Sequence, residues 1–308
     1  MEHMTTRDRL LGLTVVVLWG LNFLAIRAGL DHFPPFFFAA VRFLLIAIPV
    51  VWFVPRPQVP TTWLLLYGTG FGVGQFTFLF WAMHVGMPTG LASLVLQSSA
   101  PFTVVLGAIL LRERLRPVQV GGLLVAMSGM ALIGWDRSQH AALLPVVLTL
   151  LAGLSWALGN LGNRKAASDQ PMRLMLWMCV IPPLPMLALS FAVEGPSSGW
   201  NALTSSLHGN GPLALAGLAY IVILGTIVGS GLWTALLSRY PAGTVAPLSL
   251  LVPVVGIGAA WLVLHEEPSV VSLIGGAVVI AGAAATQVSG KARQGPFPHV
   301  RPPARVGV

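Results

Sequence analysis

Between Leu10 and Val288 the chain returns repeatedly to nearly uncharged apolar stretches of about 20 residues, the length at which an α-helix crosses a hydrocarbon layer ~30 Å thick. The stretches are continuous rather than alternating, which excludes a membrane β-barrel. Of the 308 residues, 56% are apolar and only 8% charged, too few to cover the surface of a soluble domain, where roughly a quarter are charged. The expected fold is an all-α membrane protein. Ten transmembrane helices are expected at about 10–30, 35–54, 63–84, 90–111, 117–135, 142–162, 171–193, 212–235, 242–264 and 270–288. The basic start at Arg7 and Arg9 has the outline of a signal peptide, but no small-residue cleavage site follows, so it reads as the lead of an uncleaved first helix.

A formal charge of +8 would suggest nucleic acid in a soluble protein, but the loops account for it here. With residues 1–9 as a cytoplasmic N-terminus and the spans alternating, Arg7, Arg9, Arg56, Arg112, Arg114, Arg116, Arg164, Lys165, Arg173, Arg239, Lys291, Arg293, Arg301 and Arg305 all fall on the cytoplasmic side. The periplasmic loops hold only Arg137, while Arg27 and Arg42 lie within spans. That bias puts both termini of a multi-pass bacterial inner-membrane protein in the cytoplasm. Residues 289–308, rich in Pro, Gly and Arg, read as a disordered basic tail able to touch lipid headgroups. The one cysteine, Cys179, can form no intramolecular disulfide, and the histidines show no metal-ligand spacing, so no metal or cofactor is expected.

The chain repeats itself. MPTGLASLVLQSSAPFTVVLGAILLRER at 87–114 and YPAGTVAPLSLLVPVVGIGAAWLVLHEE at 240–267 align at an offset of 153, pairing Pro88 with Pro241, Gly90 with Gly243 and Glu113 with Glu266. The same register pairs Gly122 with Gly275 and Gly129 with Gly282. GTGFGVGQFT at 68–77 and GTIVGSGLWT at 225–234 align at an offset of 157, and Trp19 and Arg27 pair with Trp156 and Arg164. The repeats are expected at 10–135 and 142–288. Five spans in each half force the halves into opposite orientation, an arrangement that transporters use around a central site.

Small residues four apart, such as Gly68 and Gly72, let helix backbones approach closely. Pro101 in span four, and Pro247 and Pro253 in span nine, are expected to interrupt equivalent helices, where freed backbone groups face a cavity. Polar side chains are costly in lipid and should face the interior. The interior set is Asn22, Gln75, Gln97, Ser98, Ser99, Asn160, Asn163, Thr226 and Ser249, with Trp19, Trp81, Trp156, Tyr220 and Trp233. The candidate substrate-binding residues are Trp19, Asn22, Arg42, Gln75, Gln97, Ser98, Trp156, Asn160, Thr226, Trp233 and Ser249. Amides can serve both ends of a zwitterion, although the same groups also make interhelical bonds of about 0.6–2 kcal/mol. Arg42 could attract a carboxylate or pair with backbone carbonyls. All nine acidic residues fall at helix ends, loops or tails, which weighs against an exporter of lipophilic cations needing a mid-membrane carboxylate.

WGLNFLAIRAG at 19–29, GMPTGLASLVLQ at 86–97, SWALGNLGNRK at 155–165 and APLSLLVPVVG at 246–256 resemble the EamA family of the drug/metabolite transporter superfamily. The resemblance covers nearly the whole chain. It implies two inverted halves of five helices and export of small amino-acid metabolites of the cysteine and O-acetylserine type. Other metabolites or drugs carried by the superfamily remain the alternative. An enzyme would need clustered His, Asp or Glu inside the bundle, and the spans offer none.

Overall fold

The computed structural model describes residues 4–111, 117–140, 143–240, 245 and 248–286, and these are helical with no strand among them. Helix α1 is Thr6–Leu30 and α2 is Pro35–Phe53. Helix α3 joins Thr61–Tyr67, a π-helical stretch Gly68–Gly74, and Gln75–His84. Helix α4 joins Thr89–Val95, a 3₁₀ turn Leu96–Ser98, and Ser99–Leu111. Then come α5 (Pro117–His140) and α6 (Leu144–Ala166). Helix α7 runs Pro171–Met178 and resumes as Pro183–Val193, and α8 is the short Ser198–Thr204. Helix α9 joins Gly211–Ala219, a π-helical Tyr220–Val228, and Gly229–Arg239. The described helices close with α10 (Val252–Leu264) and α11 (Val270–Thr286). Arg112, Glu113, Arg114, Arg116, Pro241, Gly243, Pro247 and the tail 289–308 lie outside the described residues.

Seven helical stretches are long and apolar enough to cross a membrane, and Pro117–Ile133, Val252–Leu264 and Val270–Ala285 are shorter apolar helices. The outward surface is apolar: Trp52, Phe53, Leu184 and Val270 are 71–83% exposed. Such a surface is unstable in water and suits lipid, so this is an all-α, multi-pass membrane protein. Because α1 to α4 alternate in direction, the bundle has an N-terminal end, where α1 begins, and a far end, where α1 finishes.

Proline explains where the helices break. In α7 the consecutive Pro182 and Pro183 end one helical piece and start the next. In α4 the deformation lies at Leu96–Ser98, one turn before Pro101 rather than at it. The physical reason is that a proline ring collides with the carbonyl four residues earlier, here that of Gln97. The same rule places a turn at Leu250 and Leu251, just ahead of Pro253 in the first turn of α10. At the offset of 153, Leu96–Ser98 corresponds to Ser249–Leu251, so the two breaks occupy matching positions. The first π-helical stretch falls within the matched block at 68–77, and the second overlaps the block at 225–234 over residues 225–228.

The glycines sit where backbones meet. A Cβ on Gly70 of α3 would stand 2.5 Å from the Gly159 nitrogen of α6, and one on Gly229 of α9 would stand 2.7 Å from the Trp19 indole nitrogen of α1. Between α5 and α11 the contacts are reciprocal. Gly129 lies against the Gly275 carbonyl, and Gly282 lies against the Gly122 carbonyl. Since Gly122 pairs with Gly275 and Gly129 with Gly282 at the offset of 153, each contact is the image of the other when the two halves are exchanged.

Candidate functional site

A cavity of about 500 Å³ lies in the middle of the bundle and extends toward its N-terminal end through Asn163, Pro171 and Thr234. Trp19 and Asn22 reach it from α1, Arg42 from α2, Gln75 from α3, Gln97 from α4, Trp156 and Asn160 from α6, and Thr226 and Trp233 from α9. Ser249 closes the ring from the break before α10. Helices α5 and α11 line none of it; their glycine seam packs beside the site.

Three candidates from the interior set lie elsewhere. Ser98 is fully buried with its Oγ against Gly153, so it seats α4 on α6. Trp81 packs edge-on to Phe36 at 6.2 Å and is 38% exposed on the outside of the bundle. Tyr220 donates its hydroxyl to the Leu18 carbonyl at 3.0 Å, joining α9 to α1.

Several polar groups in the lining hold the deformed helices. The Trp19 indole donates to the Gly225 carbonyl at 3.0 Å, inside the π-helical stretch of α9, and stacks tilted on Trp233 at 5.2 Å. Gln97 donates Nε2 to the Ser249 carbonyl at 2.9 Å. That carbonyl is four residues before Pro253, which has no N–H to offer it, so the break in one half is capped by a side chain from the break in the other. Asn160 donates to the Thr103 hydroxyl at 3.1 Å, and Trp156 meets Phe71 edge-on at 5.8 Å.

Arg42 is different in kind. Its side chain is buried, and Nη2 donates to the Thr226 hydroxyl at 3.0 Å. The guanidinium lies 4.0 Å from the Phe76 ring centroid and 5.1 Å from that of Phe43. Nε and Nη1 have no hydrogen-bond partner, and among the described residues no Asp or Glu lines the cavity. Two ring contacts return ~0.5–2 kcal/mol each, whereas withdrawing one ion from water costs several kcal/mol. The charge therefore remains under-compensated. The expected pairing with backbone carbonyls is not what holds Nε and Nη1. Asn22 Oδ1 and Gln75 Oε1 are likewise buried without partners.

The aromatic and thioether part of the lining, Tyr67, Phe71 and Phe76 of α3 with Met175 and Met178 of α7, was absent from the polar reading. Phe71, Gln75 and Leu79 recur every four residues on one face, and that spacing from a polar residue was the available signal.

The far end is tied across the halves by carboxylates. Glu194, after α7, accepts the amides of Phe36 and Phe37 at 2.6 and 3.0 Å and the Ser190 hydroxyl at 2.6 Å. Glu266, after α10, accepts the amides of Thr89 and Gly90 at 2.9 and 3.0 Å, so it anchors the start of α4. Asp136 accepts the hydroxyls of Ser269 and Ser272 at the start of α11. At the N-terminal end Asp8 accepts from Arg239 at 3.0 Å and Tyr240 at 2.7 Å. None of these acids reaches the central cavity.

The sequence profile of the EamA-like transporter family matches residues 9–135 and again residues 143–287. A probable amino-acid metabolite efflux pump of Salmonella typhimurium is 45% identical over 285 residues, covering 91% of this chain and 94% of its own. Its Escherichia coli counterpart, described in the same words, is 42% identical with the same coverage. A probable terminal-alkyne amino-acid exporter of Streptantibioticus cattleyicolor is 28% identical over 87% of this chain and 89% of its own. One solved structure, described only as a crystal structure of a protein, matches the fold with a TM-score of 0.61 at 20% identity, over 96% of this chain and all of its own.

Proposed function

The chain belongs to the EamA-like transporter family, a transporter and not an enzyme, and from that premise we propose that it exports small amino-acid metabolites, of the cysteine and O-acetylserine type, across the bacterial inner membrane. The observation that carries this reading is the mid-bundle cavity lined by amides, hydroxyls and indoles, with no fixed negative charge among its described residues. Such a lining can satisfy the donors and acceptors of a zwitterion and leaves a lipophilic cation without a counter-ion. Trp19, Asn22, Arg42, Gln75, Gln97, Trp156, Asn160, Thr226, Trp233 and Ser249 bind or guide the substrate in this reading, and Ser98 packs. The names of the two enterobacterial relatives support the substrate class.

Transport proceeds by alternating access in ten spans, arranged as two inverted halves at 10–135 and 142–288 with both termini in the cytoplasm. The reciprocal glycine contacts, the matched breaks and the double profile match support the repeat. Arg7, Arg9, Arg56, Arg164, Lys165, Arg173 and Arg239 share the N-terminal end, which supports placing that end in the cytoplasm. The cavity then faces the cytoplasm and the carboxylate ties close the periplasmic side. The test is release: cells overproducing the protein should accumulate more cysteine and O-acetylserine in the medium than cells with an empty vector. Unchanged release together with new resistance to quaternary ammonium compounds would replace this reading with a drug exporter.

A further inference from the structure

Four buried polar atoms in one neighbourhood lack partners. Two are donors on a cation, Arg42 Nε and Nη1, and two are neutral acceptors, Asn22 Oδ1 and Gln75 Oε1. Contacts connect them. Asn22 Oδ1 rests on Gly225, whose neighbour Thr226 accepts from Arg42, whose guanidinium covers Phe76, the residue after Gln75. All four residues, Asn22, Arg42, Gln75 and Thr226, line the central cavity, while the orphan atoms themselves are closed to solvent and meet a ligand only when their side chains turn toward it. Buried polar groups are nearly always satisfied, so a cluster of unsatisfied ones behind a cavity wall calls for an explanation, and a ligand of matching chemistry is one. Here the missing complement is an anion for the guanidinium and a hydrogen-rich cation for the amide oxygens.

Building on the export reading, we propose that the site selects its substrate by both charged ends at once: Arg42 takes the α-carboxylate, and Gln75 and Asn22 take the α-ammonium. An arginine suits the first role because its planar donors match a carboxylate and it stays protonated when buried. Neutral amide oxygens suit the second because they accept from an ammonium without adding a negative charge that would pair with Arg42 in the empty site. A ligand lacking either end leaves one set unpaired, and sites built to hydrogen-bond a group discriminate strongly against analogues without it.

Full-length protein in detergent tests this, with tryptophan fluorescence as the readout, because three of the ten indoles, Trp19, Trp156 and Trp233, line the cavity, and with three thiol probes kept reduced. Cysteine has both ends, cysteamine lacks the carboxylate and 3-mercaptopropionate lacks the ammonium. Cysteine should bind at least about tenfold more tightly than either analogue. Arg42→Gln should remove its advantage over cysteamine, and Gln75→Leu should remove its advantage over 3-mercaptopropionate. Arg42→Lys, which keeps the charge but not the fork, should lie between and serves if the glutamine variant does not fold. Equal binding of cysteine and cysteamine to the unaltered protein would overturn the proposal, as would undiminished cysteine binding by Arg42→Gln. The release assay separates the two levels. If the unaltered protein releases no amino-acid metabolite, the export reading falls and this one with it. If Arg42→Gln releases as much as the unaltered protein, only the carboxylate assignment falls.

Discussion

Glu194 and Phe36 stand in opposite halves of the chain, and the carboxylate of the first accepts the backbone amide of the second at 2.6 Å. Phe36 is in the first turn of α2, so an anion sits on the positive end of a helix from the other repeat. Glu266 does the same for α4. Each charge–dipole contact is worth about 0.3–2 kcal/mol, enough together to bias a two-state equilibrium several-fold. Glu194→Gln combined with Glu266→Gln should loosen the far end. A cysteine at the cavity position Ala100, in a Cys179→Ser background, should then react severalfold faster with an impermeant maleimide added from the periplasm. An unchanged labelling rate would show that these ties do not close that side.

Asn160 touches Thr103, and two substitutions distinguish packing from substrate contact. If Asn160 only anchors α6 to α4, Thr103→Val will match Asn160→Leu in the release assay. The expected result is a reduction of about tenfold for Asn160→Leu, with Thr103→Val within about twofold of the unaltered protein, since one neutral hydrogen bond between helices is worth only about 0.6–2 kcal/mol.

Gly282→Ala should be severely destabilising. The new Cβ would stand 2.3 Å from the Ala126 nitrogen and 2.6 Å from the Gly122 carbonyl, and backbone on both sides cannot retreat cheaply. Thermal unfolding in detergent should show a drop of several degrees, or the protein should be lost on size exclusion. Gly121→Ala is the control, because nothing lies within 4 Å of its Cβ position. Equal behaviour of the two variants would refute the tight α5–α11 seam.

Reporter fusions after Arg56 and Arg239 should read as cytoplasmic, and fusions near His140 and His208 as periplasmic. A reversal in either half would remove the ten-span, inverted arrangement.

The polarity of single residues was legible because a polar group in lipid has few places to go. Gln75, Gln97, Trp156 and Asn160 stood out in apolar runs, and they meet at one cavity. Ser98 stood out equally and packs against Gly153, because a hydroxyl can also fill the notch left by a glycine on another helix. The prolines announced the broken helices, but the break lies where the ring collides, one turn upstream. Trp81 misled because an indole is at home both in a cavity and at the outer surface. The π-helical stretch in α3 shifts the helical phase after Tyr67, so a face counted in steps of 3.6 from Thr61 does not continue to Gln75. The roles of Glu194 and Asp136 were hidden for a different reason: their partners lie 158 and 133 residues away along the chain. Their places near helix ends said only that they stand near a surface.

If access alternates as proposed, Arg42 gives membrane voltage a hold on the central cavity. In a bundle that exposes this cavity to each side in turn, the one guanidinium among its described lining residues carries one positive charge with it. A zwitterion leaves that charge unchanged, so the outward loaded step and the inward empty step move equal and opposite charge, and the cycle is electrically silent. A monoanion neutralises the site on the way out while the empty site returns positive. Each turnover then expels one negative charge, driven by a cytoplasm held negative with about 2.3 kcal/mol for every 100 mV. One side chain without a counter-charge would thus, under that proposal, let the resting potential of the cell rank substrates that differ by a single proton.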